Sequence, residues 1–397
     1  MTMIRTCLQS VVLAACLLTS SKVKALPTPA EQPIGELETV AEIHGAMPTG
    51  IAVSTSGRIF INYPRWGDDV LFTVAEIVDG EPLAYPSAAW NQQGSVFTQE
   101  NRIVSAQSVV IDPSGNYLWI VDTGSLRPTP ISYGGPKLIQ VSLETNKVVR
   151  KILIEQEALN PKTYLNDVRF LFDSKATSYA FISDSSPEGG LVVVNLTSGE
   201  SWRRLSGTSF TRSDPSFVPV VEAEVLMIRE PGQSAKRFNV GSDGIAVSAD
   251  GESVFFRSLT SRHLYSVPTK ALINRTIKEV NIQKMVVDHG QVAGASDGLE
   301  ADSSGGIYLT DYEHNAIHRF TGAVSTLKTL MYSPQAIWPD SLALADDGYL
   351  YFTANQLNRQ SQFHGGVDKR IQPYMVFRIK TPYRPIRKVQ ALNTYGM

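Results

Sequence analysis

The sequence predicts an all-β protein, a six-bladed β-propeller, on three observations. One double-strand pattern occurs six times, Ser/Asp-Gly turns punctuate the chain, and an apolar strand at 374–379 is available to close a ring. The six copies open at Thr49-Gly50, Gln107-Ser108, Asn166-Asp167, Asp243-Gly244, Asp297-Gly298 and Asp340-Ser341. Each runs through a short apolar strand and a turn into a second apolar strand, ending for instance at Asn62, Asp122, Asp184 or Asp311. Equivalent positions recur every 43 to 77 residues, room for four strands and their loops. The turns Asp112-Pro113-Ser114-Gly115, Ala249-Asp250-Gly251 and Asp346-Asp347-Gly348 supply the backbone freedom that tight reversals need. A sandwich would not need the same hairpin six times. Ring closure is expected between 374–379 and residues 38–43, which makes 26–397 one domain.

Composition narrows the function classes. The 397 residues are 43% hydrophobic and 19% charged, with 36 basic against 38 acidic side chains, a net charge of −2. That balance carries no basic footprint for nucleic acid. Residues 1–25 read as a signal peptide: Arg5, an apolar run at 11–18, and Val23-Lys24-Ala25 before the cut. Ser20, Ser21 and Lys22 interrupt the run short of the roughly 20 apolar residues that a membrane span needs. A secreted protein without membrane attachment after cleavage is therefore expected. Both cysteines, Cys7 and Cys16, fall inside the signal, so the mature chain must be held by its core and not by disulfides. Asn195-Leu196-Thr197 and Asn274-Arg275-Thr276 are glycosylation acceptors in that setting.

Further motifs carry a resemblance. They are Pro64-Arg65-Trp66, Tyr85-Pro86-Ser87 before Trp90, Leu118-Trp119-Ile120-Val121-Asp122-Thr123-Gly124, Phe181-Ile182-Ser183-Asp184 followed by Gly190-Leu191-Val192-Val193, Ser201-Trp202-Arg203, and Ser258-Leu259 leading to Leu264-Tyr265-Ser266-Val267. In their order and spacing, the chain resembles the Yellow and major royal jelly protein family over most of its mature length. The family's cysteines are absent here, so no disulfide is carried over. The chain is also similar to the secreted fungal hetero-Diels–Alderases of tropolone–sesquiterpenoid biosynthesis. That resemblance implies dehydration of a hydroxymethyl tropolone or phenol to a quinone methide, which adds stereoselectively to a terpene alkene such as that of humulene. Likeness to the insect members implies dopachrome conversion or ligand binding without catalysis. Propellers host many chemistries, so the site must decide.

The start of each innermost propeller strand faces the central channel, which brings Thr49, Gln107, Asn166, Asp243, Asp297 and Asp340 to one mouth. Asn166, Asp243, Asp297 and Asp340 are oxygen donors of the kind that hold a hard cation, and calcium is the ion such a ring would take. Lactonase-like propellers similarly use an Asn and an Asp there, which keeps a calcium-dependent lactone hydrolase among the readings, although Thr49 stands where those enzymes place a Glu. Without metal, the carboxylates would share protons, and no cofactor would be required. For the dehydration, Asp243, His314 and Asp122 are the candidate acid–base groups. Arg65, Trp66, Tyr312, Trp338, Asn355 and His364 lie on connecting loops as binding candidates for a small apolar or aromatic substrate.

Two motifs are decoys. Gly294-Ala295-Ser296-Asp297-Gly298 matches a nucleophile elbow, but it opens a strand with no helix following. His314 and His318 have helical zinc-site spacing within a stretch that reads as strand.

Overall fold

The computed structural model describes residues 32–95, 98–126, 131, 134–172 and 178–387. The expected signal peptide and both cysteines lie outside them. Six four-stranded antiparallel sheets form the blades of a propeller. Their innermost strands are Ile51–Val53, Ala106–Ile111, Leu165–Phe172, Ser242–Val247, Leu299–Ala301 and Pro339–Leu344, numbered here as blades 1 to 6. Each packs beside the next, and the sixth packs beside the first.

Closure is the expected one. Leu37–Ile43 becomes the outer strand of blade 6 by pairing with Tyr374–Lys380, Leu37 opposite Ile379 and Ile43 opposite Tyr374. One blade is thus built from both ends of the described chain, so the ring cannot open without breaking a sheet. Arg378 adds an ion pair to Glu38 across the joint, at 2.7 Å.

Blades meet through apolar faces because alternate residues of each strand point to opposite sides. Phe60, Leu118 and Ile120 fill the seam between blades 1 and 2, and Phe181, Ile245 and Phe256 that between blades 3 and 4. Near the channel the approach is too tight for side chains. A Cβ on Gly244 would stand 2.4 Å from the Asp297 carbonyl oxygen, and one on Gly298 2.4 Å from that of Asp340. Glycine at these copies of the repeat is a packing requirement.

The longest interval in the repeat has a structural counterpart. Between Ser201–Arg204 of blade 3 and Ser242–Val247 the chain forms two short hairpins, Val220–Val221 with Glu224–Val225 and Met227–Ile228 with Lys236–Arg237. Phe217, Val221, Leu226, Ile228 and Phe238 of this insertion share an apolar cluster with Met47, Tyr312, Trp338, Leu357 and Phe363. Among the described residues, no helix is long and apolar enough to cross a membrane.

Candidate functional site

The repeat places the predicted carboxylates at one mouth, nearly sealed from solvent: Asp243, Asp297 and Asp340 are 4%, 7% and 6% exposed. Each accepts a hydrogen bond from a neighbour. Ser185 Oγ donates to Asp243 Oδ2 at 2.8 Å, Trp338 Nε1 to Asp297 Oδ2 at 2.8 Å, and Asn355 Nδ2 to Asp340 Oδ2 at 2.6 Å. Asn166 Nδ2 donates to Ser185 Oγ at 2.7 Å and so reaches Asp243 through it. Nearby, Trp66 Nε1 donates to Tyr164 Oη at 2.6 Å, and Tyr164 donates to Gln107 Oε1 at 2.9 Å.

Burial dominates the electrostatics. Loss of hydration raises the pKa of all three carboxyl groups, and their mutual repulsion raises Asp243 and Asp340 further. The charge of Asp297 acts directly on Asp243, so the pair favours keeping one proton over losing both. The mouth therefore keeps an acidic proton at a pH where exposed carboxylates have lost theirs.

An aromatic pair packs beside the carboxylates. Tyr312 and Trp338 have no exposed surface and stack with centroids 4.0 Å apart and planes 10° from parallel. The Tyr312 hydroxyl donates to the Leu259 carbonyl at 2.7 Å. Trp338 adopts the left-handed backbone conformation, φ +57°, a costly one for a bulky side chain. Two backbone hydrogen bonds hold it there, from Asn355 N–H to its carbonyl and from Gln356 N–H to that of Ile337.

The mouth does not fit calcium as arranged. A calcium ion takes about six to eight oxygen ligands, whereas here a serine, an indole and an amide N–H already occupy carboxylate oxygens. Among the described residues, no three His, Cys, Asp or Glu side chains group closely enough to hold a metal. No chemical step below is routed through one.

Four expectations need correction. Asp122 is a fold residue: its oxygens accept the N–H groups of Val104, Ser105 and Gly124 and an ion pair from buried Lys137 at 2.7 Å, leaving nothing for a substrate. Arg65 is equally engaged, donating to the carbonyls of Val104, Val70 and Asn91. His314 lies at the surface with 66% of its side chain exposed, tethered to Asp311, whose hydrogen bond raises the imidazole pKa. His364 Nε2 donates to the Asn358 carbonyl of its own segment, 3.0 Å away. The structure joins Trp338 and Asn355 to the carboxylates, Tyr312 to them through its stack on Trp338, and Trp66 to Tyr164.

Tyr164 and Ser185 are the mouth residues that sequence reasoning missed. A signal for Ser185 was present. It directly follows the second strand of blade 3, as Tyr312 and Asn355 follow those of blades 5 and 6. The residue after that strand faces the mouth in all three.

Fold and site together define a six-bladed propeller with a roofed, acidic channel mouth. A family model described as major royal jelly protein matches residues 104–382, and the chain belongs to that family. Major royal jelly protein 7 of Apis mellifera is 27% identical over 249 residues, 56% of this chain and 52% of that protein. Major royal jelly protein 3 of Apis mellifera is 27% identical over 245 residues, 56% of this chain and 42% of that one. The chain spans about half the length of these curated relatives. Among solved structures, a luciferin-regenerating enzyme superposes with a TM-score of 0.53 at 11% identity, covering 90% of this chain and 99% of its own. A gluconolactonase from Xanthomonas campestris gives 0.52 at 10% identity, covering 90% and 97%. At such identities the likeness is one of fold.

Proposed function

We propose that the protein is a secreted enzyme of secondary metabolism that dehydrates a hydroxymethyl tropolone or phenol to a quinone methide and guides its hetero-Diels–Alder addition to a terpene alkene. The observation that carries this reading is the burial of the Asp243 and Asp297 carboxyls, which we take to hold one proton between them, beside the stacked Tyr312 and Trp338, whose indole bonds Asp297. The shared proton passes to the leaving hydroxyl, water departs, and the ring hydroxyl returns a proton to the pair, so the carboxyls end as they began. The cycloaddition then forms one C–C and one C–O bond with no proton transferred. Trp66 and, once the Trp338 indole is displaced, the Tyr312 face supply apolar surface for the two partners, and holding them together lowers the entropic part of the barrier. Excluding water protects the quinone methide.

The purified protein, incubated with a hydroxymethyl tropolone and humulene, should give adduct faster than the protein-free mixture and with one stereochemistry. Equal rate and stereochemistry would sink the reading. EDTA should leave the rate unchanged; its loss would restore the calcium-dependent hydrolase class.

A second reading, a binding propeller without catalysis, is favoured by one feature: Tyr312 and Trp338 are fully buried and leave no open aromatic surface beside the carboxylates. Thermal stabilisation by the tropolone without turnover would establish it. Secretion belongs to either reading and has its own test. Asn274 is exposed, and the Thr276 hydroxyl donates to its Oδ1 at 2.8 Å, while Asn195 Oδ1 accepts from Thr197 N–H at 2.9 Å. Expressed through a eukaryotic secretory pathway, the protein should lose one glycan's mass in Asn274→Gln; unchanged mass would remove that acceptor.

A further inference from the structure

We propose that the Trp338 side chain is a built-in occupant of the ligand site, standing where a planar aromatic ligand with a hydrogen-bond donor on its edge binds. Three independent features meet in this residue. Its ring lies flat on Tyr312 at 4.0 Å, the geometry of a stacked ligand. Its edge N–H reaches Asp297 Oδ2 at 2.8 Å, so the indole takes up an acceptor of the mouth. Its backbone sits at φ +57°, a conformation natural to glycine and unfavourable for tryptophan.

A tryptophan that only filled the core would gain nothing from that backbone. Held by Asn355 and Gln356, it sets a large ring against the buried Asp297 carboxyl. For it to leave, the cover above it must open. The insertion carrying Phe217, Val221 and Leu226 covers the stack through side-chain packing and is latched to the 357–366 segment by the Glu222 ion pair with Arg359 and by the Arg229 hydrogen bonds to Gln362 and Gly365. When the latch opens and the indole swings out, the Tyr312 face and Asp297 Oδ2 become free together. They form one wall and one acceptor for a flat ring carrying an O–H or N–H on its rim. Phenols and hydroxylated tropolones have that shape and that donor. The inference deepens the proposed function by giving its ligand a shape, and it rests on that reading only for the chemistry that follows binding.

Trp338→Gly tests it, because glycine suits the backbone at this position and leaves a cavity of indole shape. Indole should raise the melting temperature of Trp338→Gly and leave that of the wild type unchanged. 1-Methylindole, which lacks the donor, should raise it less. A hydroxymethyl tropolone should bind Trp338→Gly at least tenfold more tightly than wild type by calorimetry, since the competing side chain is gone. Weaker or equal tropolone binding by the folded variant, or no stabilisation by indole, would overturn the proposal. If Trp338→Gly does not fold, Trp338→Phe keeps the ring and loses the donor. It should bind the tropolone several-fold more tightly than wild type, and weaker binding would overturn the proposal. Tighter binding without adduct formation would leave the occupant in place and refute only the chemistry.

Discussion

Asp122→Ala should destabilise the protein by about 3–5 kcal/mol, the usual cost of stranding one partner of a buried ion pair. Asp122 and Lys137 have fully buried side chains and meet at 2.7 Å. With the carboxylate removed, the Lys137 ammonium keeps only the carbonyls of Gly134 and Gln99. The N–H groups of Val104, Ser105 and Gly124 lose their acceptor as well. Those groups bring the chain into the innermost strand of blade 2, so the loss falls on the blade's attachment to the ring. Urea unfolding followed by circular dichroism measures it. A cost below about 1 kcal/mol would show that water or a relaxed loop replaces the carboxylate, and the structural assignment would fail. Replacing both partners, Asp122→Asn with Lys137→Met, should cost less than Asp122→Ala alone, because no uncompensated charge remains.

The contrast between Asp122 and Asp243 explains how far the sequence could be read. Both are acidic residues at the edge of an apolar strand, one ending the second strand of a blade and one opening the first. The repeat set the six blades, the ring closure and the convergence of Asp243, Asp297 and Asp340, because each follows from counting equivalent positions. It could not separate a carboxylate locked by backbone N–H groups from one left facing the channel. That difference depends on partners remote in sequence, such as Lys137 for Asp122 and Trp338 for Asp297. The same device recurs at Asp184, which accepts the N–H groups of Tyr164 and Ser186 and pairs with Arg203, and at Asp311, which takes those of Gly294 and His314. Arg65 was misread for the same reason: a loop arginine reads as a binding group until three carbonyls are found around it. The insertion at 213–240 announced itself only as excess length. Its roofing role depends on Phe217 and Leu226 meeting Trp338, and no local periodicity encodes that contact.

Asp297→Asn should lower turnover in the proposed dehydration by about 10²–10⁴-fold, the range over which a positioned acid contributes, while leaving the protein folded. The amide keeps the size of the carboxyl and can still bond Trp338 or Asp243, but it cannot release a proton. Asp243→Asn should act similarly, since the charge of Asp297 bears directly on Asp243. The pH dependence has a fixed sign. Burial raises the Asp297 pKa above its ordinary 3.8, so the acid is present at low pH and turnover falls as pH rises through the pair's elevated value. Stability follows the same direction. Between 3.8 and that value the folded state binds more protons than the unfolded chain, and stability declines with increasing pH across the window. Asp297→Asn removes the titration, so both slopes should flatten, and at neutral pH the variant should be as stable as the wild type or more so. Asp122→Ala shows the opposite pairing, lost stability from a residue that touches no substrate. Unchanged turnover in Asp297→Asn, or an adduct rate in wild type that rises with pH across this window, would remove the carboxyl pair from the chemistry. Loss of folding in Asp297→Asn would make the mouth aspartates structural in the manner of Asp122.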